Sequence, residues 1–354
     1  MQIVININHK FLNQKSMKRI AFLAAVAATL CTVACNKNME IAGQAGNDNA
    51  QEMSDQVGHD EQCELRVGIK GAWETKSTTI SAEDQVKVNN LQVLVFRGDA
   101  LDAYGSVDAA SEITLSCTAG EREVYAVVNA PSLAEISTKT ALLATTSLLS
   151  QNSGDSFQMI GNKEVTLPQA NTISVDVYRM ASRIVIKKIT RAFTVSSLAA
   201  KTFTVDEIFI TNVAGDINFG KTASPSVWFN KQAYASEQAA FTYDAPAATI
   251  ANNANYDTDH TFFAYPNAAD DNNNSTWSPR RTRLVLKTTL GTDTYYYPIT
   301  LPVLEPNKSY EIENLTLTRP GSDNPDQPVS FQDATFEVNV LSWNVVPVTE
   351  GVNI

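Results

Sequence analysis

Histidine is scarce in this chain, and the motifs of the common catalytic sites are missing. The 354 residues include three histidines, His9, His59 and His260, which are too few and too scattered for a histidine-based triad or a zinc site. There is no Gly-x-Ser-x-Gly, no phosphate-binding glycine loop and no Cys-x-x-Cys. The sequence therefore predicts no enzyme, no cofactor and no metal, although the 38 acidic residues leave open a carboxylate pair of the glycoside hydrolase kind.

Positive charge is also limited. Lys and Arg number 27 against 38 Asp and Glu, which gives a formal net charge of -11, and no basic stripe occurs. Proteins that bind nucleic acid neutralise phosphates with clustered Lys and Arg, so nucleic acid is excluded as a partner. The 44% hydrophobic and 18% charged content is that of a globular protein, and the length predicts two domains rather than one.

The apolar run near the N-terminus is too short to span a membrane. It covers 14 residues, Ile20–Val33, whereas a transmembrane helix needs about 20. Basic residues precede it and a small residue follows it, so residues 1–35 are predicted to be a signal peptide whose true start is Met17. The ending "TVAC" resembles a bacterial lipobox, with Thr32 where leucine is preferred. It predicts lipidation of Cys35, and secretion without a lipid is the alternative.

Cysteine is equally sparse outside this signal. Of four cysteines, two fall in the signal peptide, and Cys63 and Cys117 remain. Both stand at apolar positions of strand-like runs, which predicts buried free thiols. A disulfide between them is the alternative in an oxidising compartment.

The polar segment 36–62 lacks periodicity and is predicted to be a flexible tether. It leads into "CELRVGIKG", which alternates as a half-buried strand does and places four apolar side chains on one face. These are Cys63, Leu65, Val67 and Ile69. The alternation then stops, and Lys76 precedes a Ser-Thr-Thr run beginning at Ser77, the kind of exposed peptide that proteases cut. Residues 36–76 are thus predicted to be a tether followed by one strand of core quality.

Short β-type runs separated by Asn, Asp, Gly and Pro fill most of the remaining chain, which predicts an all-β fold of two β-sandwich domains. We place the domains at 77–178 and 179–354. A single helix is predicted in the first domain, from Pro131 to about Ser150, because Ser132-x-x-Glu135 forms a capping box ahead of apolar residues. The Asn- and Asp-rich segment 251–277 is predicted to be a long surface loop.

Four segments of the sequence resemble the major fimbrillins, the subunits of type V pili of Bacteroidales. "LEPNKSYEIENLTLTRPGSDNP" (304–325) and "ATFEVNVLSWNVV" (334–346) resemble the end of the family's sequences. "SCTAGEREVYAVVNA" (116–130) resembles its Cys-x-Ala-Gly strand pair, and "RMASRIVI" (179–186) resembles the opening of its second domain. Since the four segments occur in family order, the resemblance extends over nearly the whole chain.

The resemblance implies a transthyretin-like, two-domain β-sandwich pilin without catalytic activity. Fimbrillins are exported to the outer membrane as lipoproteins, and an Arg- or Lys-specific protease removes everything up to a loop after the first strand. In this chain the resemblance implies a cut between Lys76 and Ser77, although the family's major subunits often present Arg there. The removable strand would be the one that carries Cys63, Leu65, Val67 and Ile69.

A strand from the neighbouring identical subunit would then fill the open groove, which implies a homopolymer on the cell surface with accessory tip and anchor subunits. The predicted donor is the apolar C-terminal segment, about 336–354. Its apolar positions are Phe336, Val338, Val340, Leu341, Trp343 and Val345. Three alternatives remain: 335–348 as a last core strand of the second domain, a tip or anchor subunit, and a monomeric glycan-binding surface lipoprotein.

Overall fold

The computed structural model describes residues 61–71, 87–152, 154, 156–231, 242–327 and 333–343. Four of the predicted site residues lie outside these ranges, namely Cys35, Lys76, Ser77 and Val345. All of the described residues fall in one compact unit. Strands dominate its regular structure, which confirms the predicted mainly-β fold.

Eight strands precede the predicted domain boundary at 178/179. They are β1 Gln62–Gly71, β2 Asn90–Arg97, β3 Ala100–Asp108, β4 Glu112–Thr118, β5 Gly120–Val128, β6 Thr146–Leu148, β7 Met159–Leu167 and β8 Thr172–Arg179. Seven of them form a sheet in the order β3-β2-β5-β7-β8-β1-β4. The β2–β3 hairpin turns through two residues at Gly98, whose φ of 64° is a conformation that glycine adopts without strain.

This sheet folds over on itself into a sandwich. β7 and β8 pair at two positions only, Met159↔Arg179 and Ile160↔Tyr178, and the terminal strands β3 and β4 pack against each other. One layer is therefore β3-β2-β5-β7 and the other is β8-β1-β4. The side chains between the layers form what we call the N-terminal core, which includes Leu65, Val67, Leu91, Val93, Leu115, Cys117, Val124, Ile173 and Val175.

The rest of the described chain contains further strands, most of them short. They are β9 Ser182–Ile186, β10 Ile189–Arg191, β11 Phe203–Thr211, β12 Val213–Ala214, β13 Asp216–Asn218, β14 Trp228–Phe229, β15 Tyr243–Asp244, β16 Ala248–Thr249, β17 Ala254–Tyr256, β18 His260–Ala264, β19 Arg283–Leu290, β20 Asp293–Thr300, β21 Lys308–Ile312, β22 Leu315–Leu317, β23 Ala334–Thr335 and β24 Asn339–Ser342. Three sheets dominate: β18-β9-β21-β24, β17-β10-β22-β23 and β15-β11-β19-β20.

A second and larger cluster of buried side chains, which we call the larger core, connects the two parts of the chain. The faces of β2 and β5 that point away from the N-terminal core contribute Leu94, Phe96 and Val127, and these pack with Ile184, Phe263 and other residues of the later strands. β6 also pairs with β13 across the predicted boundary. The boundary at 178/179 coincides with the end of β8 and stays a prediction.

The predicted helix is much shorter than expected. It begins after Thr138, whose side chain caps the amide of Ala141, and it spans Lys139–Ala144 as α1. The backbone of the preceding residues is bound to other strands instead: Gln92 accepts a hydrogen bond from the Leu133 amide, and Ser137 accepts one from Leu101. After α1 the chain forms β6 and a 3-10 turn, Leu149–Gln151, while a second short helix, α2, spans Ser196–Ala199.

The prediction of a surface loop over 251–277 was wrong in its first half. β17 and β18 lie inside the segment, and β18 pairs with β9 from His260↔Ile186 to Ala264↔Ser182. Phe262 and Phe263 are 1% exposed. The Asn and Asp residues concealed an apolar run, "HTFFAY", that is buried in the larger core.

Within the described ranges, no helix has the length and apolar character that crossing a membrane requires. The same residues contain no group of three or more His, Cys, Asp or Glu side chains placed to hold a metal ion.

Candidate functional site

β1 lies in the middle of the three-stranded layer. It pairs antiparallel with β4, from Gln62↔Thr118 to Gly68↔Glu112, and parallel with β8, from Arg66↔Thr172 to Gly71↔Val177. Among the described strands, β4 has β1 as its one partner in the sheet. We call the space that β1 fills between β8 and β4 the β1 slot.

The side chains of β1 alternate as the sequence predicts. Leu65 and Val67 have no exposed surface and belong to the N-terminal core, while Cys63 and Ile69 are half-buried and pack against it. Arg66 points outward and forms a surface ion pair with Glu112, and pairs of this kind contribute little to stability. The apolar face and the two ladders of backbone hydrogen bonds therefore hold β1 in place.

Removal of β1 would expose two kinds of unsatisfied surface. Burying a large aliphatic side chain contributes about 1.5–3 kcal/mol, so empty pockets at Leu65 and Val67 are costly. The backbone groups of β4 and β8 that face the slot would also lose their partners, and such groups template the addition of another strand. The slot is thus shaped to receive a strand with apolar side chains at alternate positions.

A polar clasp ties β4 to the opposite layer independently of β1. Asp102 on β3 accepts hydrogen bonds from the Thr118 amide at 2.9 Å, from the Thr118 hydroxyl at 2.8 Å and from Arg122 Nε at 2.9 Å. Arg122 Nη2 also donates to the carbonyl of Ala119. Burial alone would raise the pKa of Asp102, but the hydrogen bonds and the Arg122 charge outweigh it and lower that pKa.

Packing supports the same junction. Gly105 of β3 lies so close to Leu115 of β4 that a Cβ at that position would sit 2.3 Å from the leucine Cδ2. The clasp and this contact hold β4, which forms one side of the β1 slot, against β3. Sequence reasoning missed Asp102 and Arg122, because neither stands in a motif and their partners are set by the stacking of the two layers.

The C-terminal segment is docked on the chain's own second part. β24 pairs with β21 from Lys308↔Ser342 to Glu311↔Asn339 at the edge of its sheet. Phe336 and Val338 are half-buried against the larger core, whereas Val340 and Leu341 are 49% and 47% exposed. Of the predicted donor residues that the structure describes, Trp343 is the one with no exposed surface.

Trp343 is held by aromatic and cationic neighbours. Its ring stacks on Phe263 at 5.5 Å and meets Phe157 edge-on at 5.1 Å between centroids. The Arg179 guanidinium lies 4.5 Å from its centre and donates to its carbonyl at 3.0 Å. Burial and the neighbouring Arg183 lower the pKa of Arg179 to about 9, so it keeps its charge at neutral pH, and Arg183 pairs with Glu311 at 2.7 Å.

The predicted removable strand β1 and the described part of the predicted donor segment are therefore both docked within one chain, in separate places. Leu65 and Val67 lie in the N-terminal core, and Trp343 lies in the larger core. The packing of β1 and the packing of Trp343 therefore do not depend on contacts between these two segments. What this geometry supports chemically is strand pairing, since its specific features are backbone ladders and apolar pockets.

Known proteins match this chain in sequence family and in fold. The family described as major fimbrial subunit protein (FimA) matches residues 64–214, a range that begins inside β1. No curated protein was found to match.

Several solved structures share the fold. A fimbrilin from Porphyromonas gingivalis is 17% identical, with a TM-score of 0.58 over 80% of this chain and 98% of its own. A candidate cell adhesion protein from Bacteroides eggerthii is 20% identical, with a TM-score of 0.59 over 80% of this chain and 97% of its own. The C-terminally truncated tip fimbrial protein Mfa3 from Porphyromonas gingivalis is 13% identical, with a TM-score of 0.50 over 80% and 100%. The predicted resemblance is thereby confirmed: the chain matches the major fimbrial subunit (FimA) family over residues 64–214 and has the fold of the solved fimbrial subunits.

Proposed function

We propose that this chain is a shaft subunit of a cell-surface fimbria, which polymerises by strand exchange once proteolysis has removed β1. The observation that carries the proposal is the position of β1, a core strand in the middle of its layer that lies directly before the lysine-containing segment at Lys76. A cut after Lys76 would separate β1 from every other described strand. The precursor would reach the outer membrane as a lipoprotein anchored at Cys35.

The incoming strand must reproduce what β1 supplies. It has to pair with β4 on one side and β8 on the other, and it has to place apolar side chains at the positions of Leu65 and Val67. The C-terminal segment of a second copy of this chain meets that requirement by composition, since 336–354 is rich in valine.

The docking of Trp343 refines which part of the segment can be donated. Pulling a fully buried tryptophan out of a core costs about 3–5 kcal/mol, whereas the half-exposed edge residues Val340 and Leu341 contribute less. We therefore propose that the segment stays on its own subunit up to Trp343, and that the residues from Val345 onward extend into the β1 slot of the next subunit.

Substitution of Lys76 tests the proposal directly. Lys76→Ala should give an uncut precursor that stays monomeric, because β1 continues to fill its slot. Lys70→Ala is the matched control, since Lys70 is an exposed lysine of β1 itself and its loss should leave maturation unchanged. The measurement is the N-terminal sequence of surface protein from cells, together with the gel mobility of boiled and unboiled extracts.

Two results would overturn the proposal. One is mature fibre protein from the unaltered chain that begins near residue 36 and so retains β1. The other is a ladder of polymers from Lys76→Ala without any cut after β1. A single monomer band from the unaltered, cleaved chain would favour the glycan-binding alternative instead.

A further inference from the structure

Cys63 and Cys117 face each other across the β1–β4 ladder. They are direct partners in the register, and both are free thiols among the described residues. The Ala119 amide donates to Glu61 and the Ile69 amide donates to Ser111, both at 2.9 Å. Because hydrogen-bonded pairs recur at every second residue, the two cysteines also occupy such a pair.

The backbone spacing of this pair falls within the range that disulfides span. Hydrogen-bonded partners in an antiparallel ladder have Cα atoms about 5.5 Å apart, within the roughly 4.4–6.8 Å that disulfides span. The Cys63 thiol donates to the Cys117 carbonyl at 3.4 Å, and the Cys117 Sγ lies 3.8 Å from the Cys63 carbonyl. Both side chains lie on the same face of the ladder, against the N-terminal core. Opposite Cβ atoms in such a ladder are about 4.5–5.5 Å apart and those of a disulfide about 3.5–4.5 Å, so a bond requires side-chain rotation and a local approach of the two strands by about 1 Å.

The two thiols differ in access. Cys117 is 1% exposed, and burial together with the neighbouring Cys63 raises its pKa to about 12. Cys63 is half-buried, close to the start of β1. An oxidant from solution therefore meets Cys63 first, and Cys117 is positioned to resolve the product.

We propose that Cys63 and Cys117 form a disulfide in the exported precursor and that this bond keeps β1 in its slot after the peptide chain has been cut. The second half of this inference rests on the proposed removal of β1. Disulfides persist outside the cytosol, which is where a fimbrial subunit is assembled.

The chemistry is thiol–disulfide exchange with a small-molecule or protein disulfide as the oxidant. The Cys63 thiolate attacks one sulfur of that disulfide and releases the other as a thiolate, which leaves a mixed disulfide on Cys63. Cys117 then loses its proton and attacks the Cys63 sulfur, which expels the second thiolate. Two protein thiols are oxidised by two electrons in total, and their two protons pass to the two expelled thiolates, so the oxidant becomes two thiols.

The consequence is that release of β1 has two requirements. Cleavage after Lys76 opens the main chain, but the fragment that carries Cys63 stays bonded to Cys117 on β4. Reduction by a dithiol must follow before a donor strand can enter. The bond joins the two parts of the chain that maturation is proposed to separate, so it acts as a latch on assembly.

The first test measures the thiols of the uncut full-length precursor, exposed to oxidised glutathione and then to N-ethylmaleimide in urea, so that a buried thiol would also be accessible. We expect neither Cys63 nor Cys117 to take up the alkylating agent, and a peptide map in which their two peptides are joined until a reductant is added. Alkylation of both cysteines, or glutathione retained on Cys63, would overturn the proposal. This arm does not depend on whether β1 is ever removed in cells.

The second test uses a precursor with a site for a sequence-specific protease inserted after Lys76. In the cut, oxidised protein the β1 fragment should stay on the body in detergent and leave when dithiothreitol is added. In Cys63→Ser, or in Cys117→Ala if that serine variant does not fold, the fragment should leave without reductant. Release from the oxidised unaltered cysteines without reductant would disprove the latch. Failure of the native protease to cut at Lys76 would count against the proposed function alone.

Discussion

Asp102 connects the two layers of the N-terminal sandwich through a buried ion pair and two further hydrogen bonds. Its carboxylate accepts hydrogen bonds from the Thr118 amide, the Thr118 hydroxyl and the Arg122 guanidinium. The side chains of Arg122 and Asp102 are 1% and 10% exposed. Removing one member of a buried ion pair leaves the other charge without compensation. None of these contacts involves β1, so we expect the clasp to hold β4 against β3 after removal of β1.

Asp102→Asn should destabilise the precursor, because each hydrogen bond to a charged group contributes about 1.5–3 kcal/mol and Arg122 loses its counter-charge. The folded-state pKa of Asp102 is lowered, so its contribution is fully present above the unfolded value, about 3.9, and is lost as the pH falls through the lower folded value. Urea unfolding at pH 7 and at pH 3 measures this. The variant should lose stability at pH 7 and show a smaller loss on acidification than the unaltered chain.

Asp108→Asn is the control for this experiment, since Asp108 is an exposed carboxylate on the same strand. It should behave like the unaltered protein at both pH values. Equal behaviour of Asp102→Asn and Asp108→Asn would show that the clasp does not contribute to stability.

At the scale of the element, β24 combines an edge position with an anchor. The strand has half-exposed apolar side chains and, among the described strands, one hydrogen-bonded neighbour, β21. Its pairing alone therefore attaches it only weakly to the sheet. Trp343 immediately after it is packed between Phe157, Phe263 and Arg179. The tryptophan, more than the strand, therefore holds the end of the described chain in place.

This arrangement predicts different outcomes for two truncations that differ by one residue. A chain ending at Trp343 should fold, be cut and accept a donor strand, yet it should cap fibres instead of extending them. A chain ending at Ser342 loses the buried tryptophan as well and should be less stable by about 3–5 kcal/mol. Urea unfolding measures the stability difference, and electron microscopy measures fibre length.

Fibres of normal length from the chain that ends at Trp343 would place the donor before residue 344. Truncation of a tip subunit would also leave fibre length unchanged, since a tip subunit donates no strand to a further subunit. Mixing the truncated chain with the full-length chain separates the two cases: a donor-deficient shaft subunit shortens fibres in proportion to its share, and a tip subunit does not.

At the scale of the whole molecule, the proposed function connects folding with assembly. Because β1 closes the layer between β8 and β4, we expect the uncut precursor to stay monomeric. Losing the middle strand of a layer is more costly than losing an edge strand, since both flanking strands lose their backbone partners. That cost is what a donor strand recovers, and it favours a stable joint between subunits.

A lipid at Cys35 would keep the precursor at the membrane until β1 is removed, because stable anchoring requires more than one acyl chain and a lipidated cysteine supplies them together. Labelling cells with a fatty-acid analogue should mark the uncut precursor and leave Cys35→Ala unlabelled. Cys31→Ala, which alters the other cysteine of the signal, is the matched control and should remain labelled. Equal labelling of the Cys35→Ala precursor, or no labelling of the unaltered one, would disprove the anchor.

The local features of this protein follow from the sequence alone. The alternation of Leu65 and Val67 with Arg66 specifies a strand with one buried face, because side chains in a strand point to opposite sides at every step. The scarcity of histidine and of basic clusters likewise underlies the predictions of no histidine-based catalysis and no nucleic-acid binding. The apolar composition of the C-terminal segment likewise requires a burial site.

The tertiary structure alone decided the partners of these segments. β1 could equally have been an edge strand; its central place depends on β8, whose residues lie far along the chain, and on a register that opposes Cys63 to Cys117 across a separation of 54 residues. The first part of the helix expected from Pro131 onward is replaced by contacts with Gln92 and Leu101, and Trp343 is buried on its own subunit. A side-chain period is set by neighbours in sequence, whereas register and layer stacking are set by the packing of distant segments, which no local pattern contains.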